Sequence, residues 1–142
     1  MTMLVLADAG AASLIKAYFN NTWPAGGKSL TLKLFATNVT PTDASTAGSF
    51  TEAAGGGYAA KTLTNGSWTE SNVGGIEQVA YAAQTFTFTG ALTTNPTIYG
   101  YYVVDADGVL VYAEAQASFT PANNGDNITI TPTFQASKGT PA

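Results

Sequence analysis

Thr85-Phe86-Thr87-Phe88-Thr89 alternates polar and apolar side chains without a fault. A period of two sends successive side chains to opposite faces of a pleated strand, so the phenylalanines point to a core and the threonines outward. Leu30-Thr31-Leu32-Lys33-Leu34-Phe35 and Asn127-Ile128-Thr129-Ile130-Thr131 keep the same rhythm. Gly, Asn, Asp and Pro separate these runs, which predicts about eight short strands at roughly ten-residue spacing. The expected fold class is all-β: an antiparallel β-sandwich, jelly-roll-like, with one short N-terminal helix. Alternation alone does not distinguish one strand order from another.

The turn residues set finer expectations. Asn65-Gly66 lies between Tyr58–Thr64 and Ser67–Ser71 and is the strongest short hairpin signal in the chain. Asp105-Ala106-Asp107-Gly108 predicts a second hairpin, between Thr97–Val104 and Val109–Ala117. Gly74-Gly75 reads as a break before Ile76–Ala80, and Phe50-Thr51-Glu52 as a short strand before the Gly55-Gly56-Gly57 turn. Pro132 marks an edge or the end of the last strand. Near the start, Asp8 caps a helix whose Ala11, Leu14, Ile15 and Tyr18 share one apolar stripe, with Asn20-Asn21-Thr22 stopping it. One domain is expected over residues 1–142: an N-terminal arm and helix (1–28), the sandwich (29–135) and a tail (136–142).

Composition removes whole chemistries. The chain has no His and no Cys, and its five basic residues are all lysines (Lys16, Lys28, Lys33, Lys61 and Lys138). No imidazole triad, thiol nucleophile, disulfide or zinc–thiolate site is therefore available, and no guanidinium fork for phosphate. A net charge of −4 argues against nucleic acid as a partner, since backbone binding needs a concentrated positive surface. The most apolar run, Met3–Leu6, is far too short to span a bilayer, and with no basic residue before it and Asp8 soon after it reads as part of the mature fold. No membrane or cofactor is expected.

Each remaining constellation has an ordinary structural reading. Asp105-x-Asp107-Gly108 opens like a calcium loop, but Val109-Leu110-Val111 supplies none of the further oxygens, so it reads as a turn. Glu52, Glu70, Glu77 and Glu114 are the candidates for an acid–base pair, and each sits among outward polar strand positions. Gly55-Gly56-Gly57 lacks the Lys-Ser/Thr ending of a phosphate loop, and N-x-Ser/Thr triplets at Asn20, Asn38, Asn65 and Asn127 arise by chance in so threonine-rich a chain. No catalytic residue is assigned and no enzymatic activity expected. The aromatics carry more: Trp23, Trp68 and Tyr101 are candidate interface residues, because adjacent Tyr101 and Tyr102 point to opposite faces and one is expected outside the core. Outward strand positions are Thr, Ser, Ala and Gln, a coat that fits a protein covered by neighbours.

The stretch Leu30-Thr31-Leu32-Lys33-Leu34-Phe35 … Asn38-Val39-Thr40-Pro41-Thr42-Asp43 resembles small structural proteins of tailed bacteriophages. So do Gly57-Tyr58-Ala59 … Leu63-Thr64 … Ser67-Trp68-Thr69, Gln84-Thr85-Phe86-Thr87-Phe88 and Ile98-Tyr99-Gly100-Tyr101-Tyr102-Val103-Val104-Asp105, in an order that runs from about Met3 to Thr133 and includes the leading Ala7-Asp8-Ala9-Gly10. The resemblance implies a virion component: a capsid decoration (cement) protein, an oligomer with a trimer favoured, bound to the major capsid protein at the capsid surface. Tail and host-attachment proteins that bind glycans use similar sandwiches, and that alternative stays open. On the decoration reading Met3, Leu4, Val5 and Leu6 form either a contact arm or a first strand.

Overall fold

The computed structural model describes Ile15, residues 17–20 and residues 29–136. Among them run nine strands: β1 (Leu30–Phe35), β2 (Lys61–Leu63), β3 (Thr69–Val73), β4 (Ile76–Ala80), β5 (Gln84–Thr87), β6 (Ile98–Val104), β7 (Leu110–Phe119), β8 (Asn127–Ile130) and β9 (Thr133–Ala136). Every strand pairing is antiparallel, as the alternation predicts. The fold is all-β. Ile15 and residues 17–20 are helical; the rest of the expected helix lies outside the described residues. The described residues divide into two compact units, one of residues 29–63 and 83–130, the other of Ile15, residues 17–20, 64–82 and 131–136.

In the first unit a four-stranded sheet, order β2-β1-β6-β7, meets the two-stranded sheet β5-β8. One face of the larger sheet carries Leu32, Leu34 and Val103, none of them exposed at all. Phe86 and Phe88 bring the smaller sheet against it: Phe86 stacks on Tyr58 at 5.9 Å, Phe88 lies 5.9 Å from Phe119, and the Lys61 ammonium sits 5.3 Å over the Phe86 ring. The alternation Thr85-Phe86-Thr87-Phe88-Thr89 is thus realised, rings inward and threonines exposed. Burying each such ring contributes about 1.5–3 kcal/mol.

The other face of the larger sheet is also covered. The chain between β1 and β2 folds back so that Phe50 packs on Phe35 (4.8 Å) and Tyr102 (5.1 Å), with Val39 and Ala47 beside them. Backbone bonds fix this return: Ala36 N–H donates to the Thr51 carbonyl (2.8 Å) and Ala53 N–H to that of Leu34 (2.9 Å). The short strand expected at Phe50-Thr51-Glu52 shrinks to a single bridge, Phe35 with Glu52. The Asp105–Gly108 hairpin forms as expected, joining β6 to β7 with Val104 opposite Leu110.

In the second unit the sheet order is β3-β4-β9. Here two expectations change. Asn65-Gly66 makes a turn, but the strands beside it do not pair: β2 joins β1 and β3 joins β4. The two-residue hairpin is at Gly74-Gly75 instead, where Val73 faces Ile76 and both glycines hold positive φ (+60° and +82°). Those are the left-handed values a tight primed turn needs. The chain also does not end its pairing at Pro132. Thr133–Ala136 adds β9 beside β4, with Gln135 Nε2 donating to Gln78 Oε1 at 2.9 Å, where the sequence reading placed the end of the sandwich and a tail from residue 136.

Candidate functional site

Of the candidate interface residues, Met3, Leu4, Val5, Leu6 and Trp23 lie outside the described residues. Trp68 is buried in the second unit, 5% exposed. Phe19 and Tyr81 meet its ring edge-on at 4.6 and 5.3 Å, and Phe134 lies 5.2 Å from Phe19. Asn20 holds this arrangement by imitating a strand. Its Nδ2 donates to the Trp68 carbonyl and its Oδ1 accepts the Trp68 N–H, both at 3.1 Å. The indole N–H has no hydrogen-bond partner among the described residues.

Tyr101 is buried in the first unit, 2% exposed, and donates its hydroxyl to Glu114 Oε2 at 2.6 Å. Tyr102 points the other way and is buried too, 4% exposed. The expectation that one of the pair stands outside the core is corrected. Opposite faces of β6 do carry the two rings, but the Phe50 segment covers the second face. Neither Trp68 nor Tyr101 offers its ring to a partner.

The four candidate carboxylates are each engaged by a neighbour. Glu52 Oε2 takes the Lys33 ammonium at 2.9 Å, while Oε1 accepts the Tyr58 hydroxyl at 3.1 Å. The Tyr58 oxygen in turn accepts Leu34 N–H at 3.1 Å, which ties the glycine turn to β1. Glu70 accepts from Asn20, Glu77 from Asn72 and Glu114 from Tyr101. Asp105 Oδ1 accepts Asp107 and Val109 N–H, both at 2.9 Å, and is spent on its own turn. Among the described residues no three acidic side chains converge on a point that could hold a metal ion. Burial drives the Tyr58 and Tyr112 hydroxyls well above the usual phenol range and Tyr102 up to about 12; the negative charge of Glu52, and for Tyr112 that of Glu114, adds to it.

Two surface features bear on function; the strand Val109–Ala117 and its uncharged coat were expected, but that it lies at a sheet edge follows from the strand order, which alternation leaves open. The first is β7, an edge strand with β6 on one side and no strand on the other among the described residues. It runs for ten residues, and Glu114, Ala115, Gln116, Ala117 and Ser118 are exposed. Glu114, already tied to Tyr101, is the strand's sole charge, where lysines or prolines commonly guard an edge. The second is an open groove of about 350 Å³ beyond the paired ends of β1 and β6, lined by Ala36, Thr37, Asn38, Thr51, Asn95, Pro96, Thr97 and Tyr99. Nothing in the sequence joins Asn38 to Asn95 and Tyr99; groups so far apart meet only through pairing of Phe35 with Gly100. Comparison of the chain with protein-family models, with curated proteins and with solved structures finds no match.

Proposed function

We propose that this chain is a structural protein of a bacteriophage virion, one that decorates the capsid and stabilises it by bridging neighbouring subunits. The observation that carries this reading is the β7 edge: ten residues with one engaged charge, presenting backbone donors and acceptors that another chain can pair with. The phage-like order of segments along the sequence supports the same reading. On it the chain works as an oligomer, a trimer, whose contacts are with the major capsid protein. A subunit that binds only the assembled shell shifts the assembly equilibrium toward it by mass action. Nothing in this mechanism calls for a reacting group.

The test is imaging of particles made with and without the chain. Density on the capsid surface that vanishes with the gene, together with lower heat resistance of the bare particle, is the expected result. Absence of the chain from purified particles overturns the reading, and density confined to the tail moves it to the tail or host-attachment role.

A further inference from the structure

We infer that the groove beyond β1 and β6 is a binding site for a neutral saccharide. Its lining is rich in hydrogen-bonding groups and carries no charge: three threonines, two asparagines and a tyrosine, with Ala36 and Pro96. Its volume, about 350 Å³, sits at the small end of the roughly 300–1,000 Å³ typical of ligand pockets, which suits one or two sugar rings.

The walls are already held. Thr51 N–H donates to Thr37 Oγ1 at 2.7 Å, and the Thr97 and Thr120 hydroxyls share a hydrogen bond of 2.7 Å. The Asn38 and Asn95 carboxamides and the Tyr99 hydroxyl, in contrast, have no partner among the described residues. A carboxamide offers two donors and an acceptor side by side, matching the paired donor and acceptor of neighbouring sugar hydroxyls. Tyr99 is half-buried against the Phe35–Phe50–Tyr102 cluster, which fixes a ring beside which the C–H face of a sugar can lie. An apolar ligand would leave the two amides and the tyrosine hydroxyl unused, and a charged one would find no counter-charge in the lining. The site does not depend on attachment to a particle, so its test is separate from that of the virion role.

Amide chemical-shift titration of the intact chain with galactose, N-acetylglucosamine, maltose and lactose tests it, with glucuronate and glucosamine as charged controls. The expected result is a saturable shift for at least one neutral sugar, confined to the amides of residues 36–38, 51, 95 and 97–99, with the charged sugars bound no more tightly. Asn38→Ala with Asn95→Ala removes two exposed amides and should weaken binding about tenfold or more while leaving the rest of the spectrum in place. Asn124→Ala, exposed and outside the groove, should change nothing. Failure of all four neutral sugars to saturate, shifts centred elsewhere, or unchanged binding by the double variant would overturn the inference.

Discussion

Gly56 and Gly74 share nearly the same backbone, φ +56° and +60°, in opposite surroundings. A Cβ on Gly56 would lie 2.5 Å from the Gly90 carbonyl oxygen and 2.9 Å from that of Ala91, whereas one on Gly74 meets nothing within 4 Å. Gly74→Ala should therefore cost about 1 kcal/mol, the left-handed penalty alone, and Gly56→Ala more than about 2 kcal/mol because backbone must move as well. Urea midpoints of the two variants measure the difference; equal shifts would mean that the 89–93 segment yields freely. The glycine triplet announced a turn in the sequence, but not that carbonyls from a segment over thirty residues downstream press on it. The tyrosines bring a second prediction at this scale. Burial raises Tyr58, Tyr102 and Tyr112, Tyr102 to about 12, against about 10 in an unfolded chain. A raised folded-state value means the native chain holds the phenol proton more tightly, so this stability is whole below about pH 10 and fades as pH climbs through the folded values. Phenolate absorbance should rise together with loss of tertiary circular dichroism above pH 10; a smooth titration with the fold intact would show these rings to be accessible.

Among the elements, the alternating strands were the readable part, because a half-buried strand writes its burial into its period. Leu30–Phe35 and Gln84–Thr87 needed no tertiary information. What the sequence concealed was partnership. Asn65-Gly66 has the residues of a primed hairpin turn, yet the Gly66 N–H donates to the Phe19 carbonyl and the Trp68 backbone is taken by Asn20, so the chain leaving the turn is held by the helical residues Phe19 and Asn20 rather than by the strand before it. Gly74-Gly75 was the better hairpin, and β9 was hidden by Pro132, whose missing N–H ends one pairing without preventing the next. The Asn20 contact gives the prediction. Asn20→Ala leaves one buried-side backbone donor and one acceptor at Trp68 without their side-chain partner and should cost about 2 kcal/mol. Glu70→Ala removes only the exposed carboxylate that Asn20 also reaches and should cost under about 1 kcal/mol. Urea midpoints followed by far-ultraviolet circular dichroism separate the two; a negligible effect of Asn20→Ala would mean that Trp68 packing alone positions the segment.

Taken whole, the chain is acidic, with net charge −4, while β7, the longest strand among the described residues and an edge of its sheet, is almost uncharged, and that contrast says how it should meet a partner. Contacts made by backbone pairing and small apolar side chains are little screened by salt, unlike docking steered by charge. Particle decoration should therefore survive a tenfold rise in ionic strength. It should not survive Ala115→Lys with Ala117→Lys. Both alanines are exposed on β7, so the fold should lose no more than about 0.5 kcal/mol per substitution. Two lysines on an edge put charge and bulk where an incoming strand must lie, the same means by which natural sheets keep their edges single. Occupancy on purified particles, measured by quantitative gel or by imaging, should fall severalfold for the double variant with its circular dichroism unchanged. Full occupancy would move the contact away from β7 and leave the decoration role resting on another surface, whereas strong salt dependence of the unmodified chain would mean that the charges, not the neutral edge, make the contact.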